Sequence, residues 1–226
     1  MKTVHFPITV VDDFFEYPDE VREFALQQEY FSDPDNNWPG KRSKPLHEIN
    51  YNLYNSCVSK FVSLFYDLNL VAGEWHGYAS FQIVDEQYEY GWVHADESLI
   101  TAIVYLSKNV CGSGTTIYRP IDPTVASIKN IDKKQESFND TSLIKANKEF
   151  QLKNNQQFRP TVTVESEYNR LFLFDSHLYH AANNFHGSNL ESNRLTLIFF
   201  IDKLTFSSPK LKTIFSPVSR LRTTCG

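Results

Sequence analysis

The sequence predicts a mainly β fold with flanking helices, and three observations carry that expectation. Aromatic residues make up 15% of the chain, with Phe 18 and Tyr 12 against Met 1, and such side chains favour pleated, half-buried surfaces. From Ala79 onward short strand-like runs follow one another, several almost continuously apolar, as strands covered on both faces of a sandwich are. Ahead of them lie helical patterns with apolar stripes that need a sheet to cover. At 226 residues and 41% hydrophobic content, the chain reads as one domain with a sizeable core. Within 1–226, residues 1–78 supply an N-terminal strand and supporting helices, and 79–202 the β core with a polar insertion at about 122–159. Residues 203–226 form a tail.

Residues 3–11 alternate and are rich in β-branched side chains, so they read as an opening strand. Pro18-Asp19-Glu20 starts a helix, with proline near N1 and acids facing the positive end of the dipole. The segment FSDPDNNWPGKRSKP, with its prolines, asparagines and Pro-Gly pair, reads as loop. Lys41 and Arg42 in it read as a solvated turn, contact with an anion being the sharper alternative. Asn50 to Leu68 predicts a second helix, with Leu53, Cys57, Phe61, Leu64, Phe65 and Leu68 on one stripe. Cys57 is therefore core packing.

The predicted strands are Ala79–Val84, the stretch around His94, Leu99–Leu106, Thr115–Tyr118, Thr161–Val164, Arg170–Phe174 and Arg194–Ile201. Between Asp122 and Arg159 the chain is full of Lys, Asn, Gln and Ser, which reads as a long loop or a lid with a short helix. The tail after Asp202 carries Lys203, Lys210, Lys212, Arg220 and Arg222 and no acids; it reads as a solvated basic end, contact with an acidic partner being the sharper alternative. Trp38, Trp92 and Arg42 read as core or surface packing, the lining of an entrance being the sharper alternative.

Composition excludes some functions. A net charge of -5 argues against a general nucleic-acid coat or a membrane-surface helix. No run approaches the ~18 apolar residues of a membrane span. The N-terminal stretch meets acids before a signal-peptide apolar region can develop. Cys57, Cys111 and Cys225 are far apart and form no CxxC pair, so neither a disulfide framework nor a structural zinc site follows. A reducing cytoplasm is the expected location.

The candidate chemistry centres on Gly91-Trp92-Val93-His94-Ala95-Asp96. An imidazole and a carboxylate two residues apart share one side of an extended strand. A second histidine from a distant strand would complete a 2-His-1-carboxylate face with open iron positions. His180, flanked by Leu178, Tyr179, Ala181 and Ala182, suits a strand edge near the core and ranks first. His177, in a polar turn, ranks second, and His186 precedes Gly187 in a loop. His5, His47 and His76 have no partners at useful spacing. Arg194 and Thr196 share one face of the last strand, with Leu195 and Leu197 on the other. An arginine pointing into an apolar sandwich is costly unless it meets an anion.

Taken in order, HADES, IVYLS, a glycine-containing turn with TTIY, LFLFDSHLYHAANNFHG and NRLTLIFF resemble the iron(II)/2-oxoglutarate-dependent oxygenases. The resemblance is to the prolyl-4-hydroxylase-like branch and its small bacterial and phage relatives. VVDDFFEYPDEVREFAL and WPGKRS also resemble the N-terminal part of those relatives. It implies a double-stranded β-helix (jelly-roll, cupin-like) core with helices on one side. It implies that His94, Asp96 and His180 ligate Fe(II), and that Arg194, Tyr105 and Thr196 bind the far carboxylate of 2-oxoglutarate. Arg194 lies fourteen residues after His180, farther than the family's usual interval, and eight after His186, so spacing alone leaves both histidines open. The implied reaction uses O2 and 2-oxoglutarate to hydroxylate a C–H bond of a prolyl residue, amino acid or other small substrate, releasing succinate and CO2. Asp96 favours hydroxylation over halogenation, since a halide needs the coordination place that the carboxylate fills. The partners implied are small-molecule or peptide substrates rather than nucleic acid or membrane, in the cytoplasm (the host's, for a phage protein). Two alternatives stay open: a cupin-like metalloenzyme without 2-oxoglutarate, and a non-catalytic jelly-roll binding protein.

Overall fold

The computed structural model describes residues 6–35, 37–69, 72–108, 110–122, 124 and 131–207. It is mostly β, with antiparallel sheets and a few helices. The strands are β1 (Thr9–Val11), β2 (Lys41–Arg42), β3 (Gly73–Val84), β4 (Ile100–Tyr105), β5 (Gly114–Pro120), β6 (Phe158–Glu165), β7 (Leu171–Asp175), β8 (Tyr179–Ala182) and β9 (Arg194–Phe206). The helices are α1 (Pro18–Leu26), α2 (Leu46–Ile49), α3 (Tyr51–Val62), α4 (Ile131–Asn139) and α5 (Leu143–Asn155). Among the described residues a six-stranded sheet runs β1-β7-β4-β9-β3-β2, and a three-stranded sheet runs β6-β5-β8.

The period-2 alternation of strand side chains divides the large sheet into two chemically different faces. On one, Leu195, Leu197, Phe199 and Ile201 of β9 join Ala79 and Phe81 of β3, Ile100, Ala102 and Val104 of β4, and Leu171 and Leu173 of β7. Helix α3 covers this face with Tyr54, Cys57, Val58, Phe61 and Val62, and α1 adds Ala25. Phe61 meets Phe199 edge-on at 5.3 Å between ring centroids. Burying a side chain of this size contributes roughly 1.5–3 kcal/mol each, so this face anchors the fold.

The opposite face looks toward the small sheet. Ile103 and Tyr105 of β4 and Phe172 and Phe174 of β7 pack with Ile117 of β5 and Val164 of β6. One rung of the large sheet on this face is polar or aromatic across β2, β3, β9 and β4. Arg42 pairs with Gln82, Gln82 with Thr196, and Thr196 with Tyr105, and residues directly opposite one another point the same way.

Several elements depart from the sequence reading. The helix expected over 50–68 begins at Tyr51, because the Asn50 side chain caps it by accepting from Leu53 N at 3.0 Å. Past Val62 the chain tightens into i→i+3 turns, Leu64 N to Phe61 O and Phe65 N to Val62 O. The opening strand is confined to Thr9–Val11; Pro7 has no N–H to give a ladder, and residues 1–5 lie outside the described residues. Within the polar stretch from 122 to 159, the described residues from 131 onward form two helices, α4 and α5, and the start of β6, where the sequence predicts a long loop or at most one short helix; residues 123 and 125–130 lie outside the described residues. Strand β9 continues through Lys203 to Phe206, so the described start of the tail is sheet; Lys210, Lys212, Arg220 and Arg222 lie outside the described residues. The stretch around His94 is extended but makes only a single bridge, to His180. No described helix is long and apolar enough to cross a membrane.

Candidate metal centre

His94 and His180 come together through the backbone. His94 N donates to His180 O at 3.0 Å and His180 N donates to His94 O at 2.7 Å, which aligns two side chains on one face. Three residues upstream, Gly91 N donates to Ala182 O at 2.9 Å. A Cβ at Gly91 would meet Ala182 N at 2.9 Å and Ala182 O at 3.1 Å, so glycine permits this approach to β8. Asp96 is held by its own N–H, which donates to Ser176 O at 2.9 Å. These contacts bring together one ligand atom each from His94, Asp96 and His180, all within 4.8 Å of one another. His94 Nε2 lies 3.5 Å from Asp96 Oδ1, and His180 Nε2 lies 3.3 Å from Asp96 Oδ2.

The tautomers are set from behind. His94 Nδ1 is 2.8 Å from Trp92 O, and His180 Nδ1 is 2.9 Å from Leu178 O. A carbonyl can only accept, so each Nδ1 carries a proton, and each Nε2 is the ring atom that faces Asp96. Burial holds the His94 pKa down to about 3, helped by nearby Lys134 and His180 and opposed by Asp96. Burial alone would raise the Asp96 carboxyl, but His180, His94 and Lys134 together hold it well below the carboxylate range. A neutral imidazole and an ionised carboxylate are the donor states a divalent metal needs. Thr101 Oγ1 lies 3.4 Å from Asp96 Oδ2 and 2.8 Å from Ser176 Oγ, steadying the carboxylate from the large sheet.

The trio opens into a cavity of about 480 Å³ between the two sheets, within the roughly 300–1,000 Å³ of small-molecule sites. Arg194 lines the same cavity. It is only 4% exposed, its Nε has no hydrogen-bond partner, and its polar partner is the neutral Tyr105 hydroxyl. Among the described residues no carboxylate forms an ion pair with it. Its charge centre sits 5.6 Å from the Tyr105 ring and 5.7 Å from the Phe185 ring. Tyr105 OH donates to Thr115 Oγ1 at 2.9 Å, linking the sheets beside it. Thr196 Oγ1 is buried without a partner.

His177 and His186 stand apart from this cluster. His177 Nδ1 pairs with Asp175 Oδ1 at 3.0 Å, and His186 Nδ1 lies 2.9 Å from Ser192 O in the connection before β9. That connection, turned by Asn189 and Ser192, accounts for the long interval between His180 and Arg194.

Several site residues depart from the preferred sequence reading. Arg42 is not a solvated turn: it is 8% exposed and lines the cavity with Trp38, while Lys41 stays exposed. Trp92 lines the cavity too. Lys134 of α4 reaches it from the polar stretch. Helix α5 supplies a further group. Asn155 accepts from Val93 N at 2.8 Å and donates to Gly91 O at 3.0 Å. Asn154 donates to Val93 O at 3.0 Å, and Gln151 to Tyr90 O at 2.8 Å. These amides stand where a neighbouring strand would stand and hold the segment that carries His94. A helical spacing of amides at 147, 151, 154 and 155 was the available signal.

Among solved structures, HygX from Streptomyces hygroscopicus with nickel and 2-oxoglutarate bound is similar at 13% identity and a TM-score of 0.49, over 86% of this chain and 82% of that one. A prolyl 4-hydroxylase from Phytophthora capsici is similar at 14% identity and a TM-score of 0.49, over 86% of this chain, which spans 58% of that one. A prolyl hydroxylase from Trichoplax adhaerens, in complex with a hypoxia inducible factor peptide fragment, is similar at 12% identity and a TM-score of 0.48, over 86% and 83%. No curated protein matches the chain. The family profile described as "Family of unknown function (DUF6445)" matches residues 1–201, and the chain belongs to that family.

Proposed function

We propose that this chain is an iron(II)- and 2-oxoglutarate-dependent dioxygenase that hydroxylates a C–H bond of a small substrate, with release of succinate and CO2. The observation that carries the reading is the pairing, in one cavity, of a His-Asp-His trio with a buried guanidinium that has no carboxylate partner. The donor chemistry fits ferrous iron: two imidazoles and one carboxylate leave coordination positions free for other ligands. His94, Asp96 and His180 would hold it. Bound there, iron supplies oxygen activation coupled to oxidative decarboxylation of 2-oxoglutarate.

The protein's own share is orientation and exclusion of water. Arg194 offers a fork of donors that matches a carboxylate bidentately, and Thr196 Oγ1 and the Tyr105 hydroxyl add neutral partners on the same wall. The unmet donor at Arg194 Nε and the unmet hydroxyl at Thr196 support a 2-oxoglutarate carboxylate there, because buried polar atoms are rarely left unpaired in a finished site. Two antiparallel sheets sharing an inner face, with helices on the outer face of the larger, suit a double-stranded β-helix core. Free thiols at Cys57 and Cys111 suit work in a reducing cytoplasm.

The test is succinate formation by purified protein given iron(II), 2-oxoglutarate and oxygen. Slow substrate-free turnover in wild type, absent in Asp96→Ala, is the expected result. Metal retention with no succinate formed would turn the assignment to a cupin-like metalloenzyme that does not use 2-oxoglutarate.

A further inference from the structure

The cavity holds a second arginine that the proposed reaction leaves unused. Arg42 is fixed on both sides: its N–H donates to Phe31 O at 2.9 Å, its carbonyl accepts from Phe31 N at 2.8 Å, and it pairs with Gln82 in the large sheet. Its charge centre lies 4.1 Å from the Trp38 ring centroid and 5.3 Å from that of Phe200. These rings cover the flat of the guanidinium, which leaves its edge for hydrogen bonding. Its polar partner within the protein is the neutral Tyr78 hydroxyl, and its Nε has no partner. Among the described residues no carboxylate forms an ion pair with it.

Charge on the cavity wall is unbalanced. Arg42, Arg194 and Lys134 face it, against Asp96 and Glu97. Asp96 is engaged by His94 and His180, and Glu97 is exposed to solvent. A single 2-oxoglutarate carboxylate on Arg194 leaves the Arg42 end cationic and closed in. A charge so placed is costly unless an anion arrives to meet it.

We infer that Arg42, backed by Trp38 and assisted by Lys134, binds an oxyanion carried by the substrate itself, so that the substrate is a free small acid bearing a carboxylate or phosphate group. The inference rests on the proposed function for calling this occupant the substrate. A prolyl residue inside a peptide presents no such group, so the site selects a free acid over a peptidyl one. A cavity of about 480 Å³ holds such a molecule beside 2-oxoglutarate.

The experiment uses full-length protein loaded with manganese(II). Calorimetry measures 2-oxoglutarate first, then N-acetylglycine and phenyl phosphate as carboxylate and phosphate probes with 2-oxoglutarate saturating. At least one probe is expected to bind, and the one that binds names the oxyanion. Arg42→Gln should weaken that probe by about tenfold or more while leaving 2-oxoglutarate within about twofold, and Arg194→Gln should do the reverse. Arg42→Lys keeps the buried charge and loses the fork. It serves if the glutamine variant does not fold, with an expected loss of about threefold or more. The inference is overturned if neither probe binds wild type, if the Arg42 variants leave the probe unaffected, or if Arg42→Gln weakens 2-oxoglutarate as much as the probe. If 2-oxoglutarate does not bind wild type while a probe binds and is lost in Arg42→Gln, the oxygenase reading falls and the anion site at Arg42 stands.

Discussion

His94 and His180 exchange both of their backbone hydrogen bonds, at 3.0 and 2.7 Å, although 86 residues separate them in the chain. Their rings consequently lie 4.5 Å apart, centroid to centroid, and each turns Nε2 to the same carboxylate. The geometry is therefore a property of this backbone bridge, with the side chains adding only the donor atoms. Removing one donor should empty the centre of its affinity without disturbing the scaffold.

That separation of scaffold from donors predicts a clean metal response. At a divalent metal concentration of ~100 times Kd, wild type should gain about 2.7 kcal/mol of stability, a rise of ~5–10 °C in melting temperature for a chain of this size. His94→Ala should melt close to wild type without metal and gain almost nothing from nickel(II) or manganese(II). Equal metal stabilisation of the two proteins would remove His94 from the centre.

Arg194 should behave in the opposite way toward stability and binding. A buried guanidinium without a counter-ion costs folding energy, so Arg194→Ala should leave the ligand-free melting temperature unchanged or raise it. Loss of charge-assisted hydrogen bonds worth about 1.5–3 kcal/mol should raise the 2-oxoglutarate requirement by roughly 10- to 150-fold. A variant that turns over with an unchanged KM for 2-oxoglutarate would show that Arg194 serves packing instead.

The two described cysteines make a simpler pair. Cys57 is 2% exposed in the α3 stripe, and burial pushes its thiol up to about 12. At pH 8 about one Cys57 in 10⁴ is thiolate, which is the reactive form, and that fraction is sterically enclosed as well. Iodoacetamide at pH 8 should label the exposed Cys111 in native protein and Cys57 only after unfolding, as read by peptide mass mapping. The sign is fixed by the raised pKa: labelling of native Cys57 should increase only as pH climbs toward 12. Comparable labelling of both residues at pH 8 would contradict the packing described for α3.

What could be read from sequence followed the range of each signal. Alternation in β9 separates Leu195 and Leu197, which enter the helix-covered core, from Arg194 and Thr196, which line the cavity; period 2 is local, so it was legible. Arg42 was not, because its burial depends on Gln82 and Thr196, its neighbours across two strands, and a two-residue strand has no periodicity of its own. Helix α5 was hidden for another reason. Its buried side chains include Asn147, Gln151 and Asn154, polar residues that a hydrophobic pattern counts as exposed. Their hydrogen bonds, not apolar area, hold that face of the helix against the chain, and only the fold supplies the acceptors.

The same amides yield the sharpest separation of structure from function. Asn155 provides the acceptor for Val93 N and a donor to Gly91 O, and Val93 is fully buried, so water cannot replace the lost bonds. Asn155→Ala should cost about 1–3 kcal/mol of stability. Because Val93 immediately precedes His94, the variant should also lose about 10- to 100-fold in metal affinity, the range seen when a supporting partner of a ligand is removed. Glu149→Ala is the control: it breaks the exposed Lys153–Glu149 pair on the same helix, a solvent-screened contact of little weight, and should leave metal affinity unchanged. Calorimetric titration of both variants with manganese(II) distinguishes the outcomes. If Asn155→Ala loses stability but binds metal as wild type does, α5 supports the fold without positioning the His94 segment.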